Sequence, residues 1–161
     1  PRDNFDLETS HVIPALIRKF LEAKNQGKKS VTLWGDGTPT REFLYVEDAA
    51  EGILLASEHY NKPGPINLGS GEETSIMELS KNIQKSTEFE GNICWDRTKP
   101  NGQPRRCLDV KKAKELFGFK SQVPLKEGLG RTLRWYIDQT NFKGTTSEVP
   151  SNKSFMVTTS V

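Results

Sequence analysis

Residues 34–46, WGDGTPTREFLYV, limit this chain's possible folds more than any other stretch. Gly35, Gly37 and Pro39 punctuate the gap between two runs of strand-forming residues, 31–34 (VTLW) and 42–46 (EFLYV). That pattern predicts two short strands joined through a glycine turn. Glu47-Asp48-Ala49-Ala50 follows at once, so Glu47 or Asp48 should start a helix with Ala49, Ala50, Ile53, Leu54 and Ala56 facing inward. Arg41 stands at the mouth of the turn with Trp34 beside it. A guanidinium fork next to a flat ring is suited to a phosphate-bearing ligand.

Periodicity organises the rest of the chain. Val12, Ile13, Leu16, Ile17, Phe20 and Leu21 repeat at helical spacing over residues 11–25, with Ser10 as the expected N-cap, Pro14 in the first turn and Gly27 at the end. The helix begun at Glu47 or Asp48 should stop before Lys62-Pro63-Gly64-Pro65. Ile66-Asn67-Leu68 reads as a short strand entering Gly69-Ser70-Gly71, and Thr74 or Ser75 then caps a helix carrying Ile76, Leu79 and Ile83. A strand is expected at 92–95, a turn at Lys99-Pro100-Asn101-Gly102, a short helix from Asp109 to Phe117 closed by Gly118, and a last helix over about 125–138. From Asn141 onward Gly, Thr, Ser, Pro and Asn dominate without period, the composition of a disordered tail. Helices alternating with strands predict an α/β or α+β architecture, with no internal repeat.

Composition excludes several functional classes. With 23 Lys+Arg against 21 Asp+Glu the charge is too balanced for a nucleic-acid binder. No apolar run approaches the ~18 residues of a membrane span. Cys94 and Cys107 lack metal-site spacing and read as a pair of buried reduced thiols, which suits the cytoplasm. At 161 residues and a mean hydropathy of -0.64, the chain can form one domain with a core.

Each residue able to carry chemistry has two readings. His11, at a helix start beside Ser10, suits a proton donor or ligand contact, or is a surface or capping histidine. Arg41 grips a phosphate or pairs with Glu42 or Asp36. Trp34 stacks on a base or belongs to the core or rim. Lys99 reaches a phosphate from its turn or is solvated, and the same choice holds for Arg105 and Arg106. Gly69-Ser70-Gly71 is an incomplete phosphate loop and reads as a strand-to-helix turn.

Four stretches in order, PRDNF at 1–5, WGDGTPTREFLYVEDAA at 34–50, INLGSG at 66–71 and KPNGQPRRCLDVKKAKELFGF at 99–119, resemble the C-terminal half of extended short-chain dehydrogenase/reductases acting on nucleotide sugars, the NAD-dependent epimerase/dehydratase family. SHVIPALIRKF at 10–20 narrows the resemblance to the branch that epimerises and reduces GDP-4-keto-6-deoxymannose. The similarity covers roughly residues 1–138.

The resemblance implies an α/β fold: the substrate-binding part of an extended Rossmann-type enzyme over 1–140, with the last Rossmann helix and strand at its edge, and a separate tail at 141–161. It implies that His11 is the general acid of epimerisation, that Trp34 and Arg41 line the nucleotide and bind its diphosphate, that Lys99 is a second diphosphate contact, and that Val12 and Leu16 pack near the base. Lys19 falls where close relatives often carry arginine. The intact enzyme is expected to use NADP(H), take a GDP-sugar and form a homodimer. Alternatives are another nucleotide-sugar 4-epimerase or 4,6-dehydratase, or a non-catalytic nucleotide-sugar module. No Tyr-x-x-x-Lys occurs, since Tyr45, Tyr60 and Tyr136 are followed four residues later by Ala49, Gly64 and Thr140, and no G-x-x-G-x-x-G occurs. Pro1-Arg2 matches a point part-way through the family's chain. The expectation is a C-terminal portion that binds no cofactor and is inactive alone. The apolar faces of the 47–60 helix and the 66–68 strand are then expected to lack a partner, giving a marginal fold.

Overall fold

The computed structural model describes residues 2–140, so the expected tail lies outside the described residues. Five helices, α1 (Val12–Asn25), α2 (Val46–His59), α3 (Ile76–Ser86), α4 (Lys111–Phe117) and α5 (Leu125–Thr140), alternate with five short strands. The strands are β1 (Ser30–Trp34), β2 (Thr40–Glu42), β3 (Glu73–Ser75), β4 (Asn92–Asp96) and β5 (Arg105–Arg106). β1 and β4 run parallel, with Ser30 opposite Asn92 and Trp34 opposite Asp96. β2 lies between β3, its antiparallel neighbour, and β5, its parallel one. The fold is α/β, as the alternating pattern predicts.

One apolar core holds α1, α3 and α5 around β1. In β1 the alternation turns Val31 and Leu33 inward and leaves Ser30, Thr32 and Trp34 outside. The inward pair meets Leu16, Ile17, Phe20 and Leu21 of α1, Leu79 and Ile83 of α3, and Leu129, Leu133 and Tyr136 of α5. Phe5 closes one end by stacking on Tyr136, ring centres 4.0 Å apart. No described helix is long and apolar enough to cross a membrane.

Several expectations are corrected. Ser10 does not cap α1: His11 holds the N-cap position without a side-chain cap bond, and the Ser10 hydroxyl is buried with no protein partner. The second strand ends at Glu42 instead of Val46, because its neighbours are only three and two residues long and pairing stops there. Tyr45 is instead the extended N-cap residue of a helix that starts at Val46. Residues 66–68 form no strand, since a strand exists only through pairing and no described strand runs beside them. In α2 the buried positions are Asp48 and Gly52, while Val46, Ile53 and Leu54 are 56%, 61% and 58% exposed. Gly52 is bare because a Cβ there would meet the Phe119 ring at 2.8 Å. Asp48 earns its burial by accepting the Gln122 and Val123 amides at 3.0 and 2.9 Å. The exposed face of α2 agrees with the expectation of an apolar face without a partner. The cysteines are not a buried pair: both are free, Cys94 exposed and Cys107 half-buried.

Candidate functional site

The C-terminal ends of β1 and β4 are built alike. Each parallel strand runs into an Asp-x-Thr turn, Asp36-Gly37-Thr38 and Asp96-Arg97-Thr98. In both, one carboxylate oxygen accepts the threonine amide and its hydroxyl, at 2.9 and 2.6 Å in the first and 3.0 and 2.6 Å in the second. These bonds favour the charged carboxylate, and with help from Asn101 they hold Asp36 down at about 2. The Asp96 carboxyl is lowered for the same first reason. Backbone bonds set the turns further: Gly35 N–H extends the ladder to Asp96 O at 2.9 Å, and Met77 N–H reaches Gly37 O at 2.9 Å. Gly37 has φ +78°, and a Cβ there would meet the Trp95 ring at 2.6 Å.

Trp34 ends β1 with 65% of its surface exposed, a large ring left out of the core. The loop over residues 99–103 folds back across it and places the Lys99 ammonium 5.7 Å from the ring centre. The same loop reaches Arg41, on β2, whose Nη1 donates to Gln103 O at 2.8 Å and to Thr40 O at 2.7 Å. Neither alternative salt bridge of Arg41 forms: Glu42 accepts instead from the Leu108 amide and the Cys107 thiol, both at 3.2 Å, and Asp36 from Thr38. With Nη1 committed to carbonyls, Arg41 still has Nε and Nη2 to offer a ligand. Trp34, Arg41 and Lys99 are thus linked through one loop.

The three α1 residues stand differently. His11 is exposed at the helix start, and no side-chain hydrogen bond or ion pair joins it to Trp34, Arg41 or Lys99. Val12 is half-buried against the core, and Leu16, 5% exposed, is part of it. Both belong to the packing of α1 on the core that also holds Val31 and Leu33. Separately, a cavity of about 450 Å³ lined by Ile13, Phe43, Tyr45 and Leu129 lies between α1 and α5, and none of the six expected site residues lines it.

Gly69-Ser70-Gly71 does not form the phosphate loop of a dinucleotide site. It precedes a strand, not a helix, and a Cβ on Gly69 would overlap the Glu42 carboxylate. A carboxylate in that position repels a pyrophosphate. Arg105 is not free for a ligand either, because the Glu73 carboxylate takes its Nε at 2.9 Å and raises its pKa. The role of Asn101, whose side-chain oxygen accepts the Asp36 amide at 2.8 Å, is not visible in the sequence. The Asn-Gly pair signalled a turn but not what the asparagine would hold.

Residues 1–69 match the family described as NAD dependent epimerase/dehydratase. They belong to it. The first two strands, the glycine turn and Arg41 all fall inside that match, and relatives extend it along the chain. A probable GDP-L-fucose synthase 1 of Oryza sativa subsp. japonica is 46% identical over 138 residues, covering 86% of this chain and 42% of that protein. The GDP-L-fucose synthase of Escherichia coli strain K12 is 40% identical over 154 residues, covering 89% and 48%. Among solved structures, a GDP-L-fucose synthetase from Naegleria fowleri bound to NADP superposes with a TM-score of 0.81 at 31% identity, covering 88% of this chain and 44% of that one. The chain therefore spans less than half the length of the relatives it matches, and its fold is the corresponding part of an extended Rossmann-type short-chain dehydrogenase/reductase.

Proposed function

We propose that this chain is the nucleotide-sugar-binding half of an NADP-dependent GDP-4-keto-6-deoxymannose 3,5-epimerase/4-reductase, the activity of GDP-L-fucose synthases. The observation that carries the reading is the 99–103 loop, which joins an exposed ring, a lysine and a guanidinium on one surface. Trp34 lines the base and ribose. Arg41, through Nε and Nη2, and Lys99 neutralise the diphosphate, the first by geometry and the second as a movable point charge. Val12 offers apolar contact near the base, and Leu16 supports that surface from the core. His11, exposed at the start of α1, delivers a proton to the epimerised sugar carbon as general acid.

Hydride transfer requires a nicotinamide held against the sugar carbon. Without Tyr-x-x-x-Lys or a phosphate loop in these 161 residues, the NADP(H) and its proton relay are supplied by groups outside this sequence. The chain by itself binds substrate and does not turn it over. The complete enzyme works as a cytoplasmic homodimer on a GDP-sugar. The two unpaired thiols fit a reducing compartment.

Calorimetric titration with GDP, UDP and ADP tests the reading. GDP should bind in preference to the other two, and Arg41→Ala should abolish the heat. Equal binding of all three would reject the guanine assignment, and no heat with any would reject the site.

A further inference from the structure

The 99–103 loop brings the proposed cations together, so what fixes the loop matters as much as the cations. Four ties anchor it. Lys99 N–H donates to Asp96 O at 3.2 Å and Thr40 N–H to Pro104 O at 2.9 Å, closing its two ends by backbone alone. Arg41 Nη1 holds Gln103 O. Between these, Asn101 reaches across to accept the Asp36 amide at 2.8 Å, the loop's own side-chain bond to the turn after Trp34. The opposing chain makes room for it: Gly35 has φ +78°, and a Cβ there would overlap Asn101 Oδ1 and lie 3.3 Å from its Cα. Gly102 follows with φ +76°, and a Cβ on it would come within 3.7 Å of Arg41 Nη2.

We infer that Asn101 is the positioning residue of this site: its side-chain carbonyl, held on the Asp36 amide, keeps Lys99 over Trp34 and Gln103 against Arg41. Asn101 need not touch the ligand. It sits between Lys99 and Gln103, two residues from each, so one bond at the loop's centre restrains both. Loss of that bond leaves the backbone ties at the ends, which fix the loop's path but not the side chain of Lys99. The ligand part of this inference rests on the proposed GDP site, whereas the positioning of Lys99 does not.

The test uses the full chain and two readouts. The first needs no ligand: the shift of the Trp34 indole N–H resonance caused by Lys99→Met. It should be clear in the otherwise unaltered chain and nearly absent in Asn101→Ala. Gly35→Ala, which displaces the same carbonyl from the other side, should also remove it and guards against a peculiarity of Asn101→Ala. The second is GDP affinity, expected to fall about five-fold in Asn101→Ala, the worth of one hydrogen bond. An equal indole shift with and without Asn101 overturns the inference. Lost coupling in a chain that binds no GDP would uphold Asn101 and reject the proposed ligand.

Discussion

The Lys99 ammonium lies 5.7 Å from the centre of the Trp34 ring, although one residue ends β1 and the other belongs to the loop after β4. Parallel pairing makes them neighbours, because Trp34 stands opposite Asp96 and the Asp-x-Thr turn then carries the chain back over the ring. An exposed cation over an exposed ring contributes at most about 1 kcal/mol, so the pair is not there chiefly for stability. Lys99→Met should leave the urea midpoint nearly unchanged and weaken GDP binding about ten-fold, the loss of one charge-assisted contact. A large drop in stability with unchanged affinity would make the pair structural.

Arg41 should not be replaceable by lysine. Its Nη1 serves two carbonyls while the rest of the fork remains available, and an ammonium cannot do both in a fixed plane. Arg41→Lys is expected to lose about ten-fold or more in GDP affinity by calorimetry, with little change in fold by circular dichroism.

The turn at Asp36 sets a pH dependence. The Thr38 hydroxyl and amide, then Asn101, hold this carboxyl at about 2 against an ordinary 3.8. A depressed pKa in the folded state means that the contribution is fully present above roughly pH 4 and lost as pH falls through about 2. Carbon-detected NMR titration should find Asp36 in that range, and Thr38→Val should raise it towards 3.8. An Asp36 that already titrates near 3.8 would contradict the turn.

Burial separates two α2 positions only a turn and a half apart. Asp48 accepts two amides in the interior, so Asp48→Ala should cost about 1–3 kcal/mol in urea unfolding. Ile53→Lys, on the exposed face, should change stability by no more than about 0.5 kcal/mol. A larger cost at Ile53 than at Asp48 would mean that the helix is buried the other way round.

The legible parts of the sequence were those governed by local chemistry and period. The α1 stripe from Leu16 to Leu21, the alternation at Val31 and Leu33, the Ser75 cap on α3 and the glycine turn after Trp34 all take their form from near neighbours. Reading failed where pairing or packing at a distance decided. Phe43, Leu44, Tyr45 and Val46 are good strand residues, yet β2 stops at Glu42 for want of longer neighbours. Residues 66–68 fail as a strand for the same reason, and the Ser10 hydroxyl is buried beside a cap position it does not fill. In the site, Trp34, Arg41 and Lys99 could be picked out by type and motif. The side-chain carbonyl of Asn101 could not, because its partner amide lies across the β1–β4 gap.

The most direct test of the site is a nitrogen–proton NMR spectrum of the chain titrated with GDP. Saturable shifts should centre on the Trp34 indole, Arg41 Nε and the backbone of residues 99–103. Shifts gathered instead around Phe43, Tyr45 and Leu129, or none at all, would contradict the account.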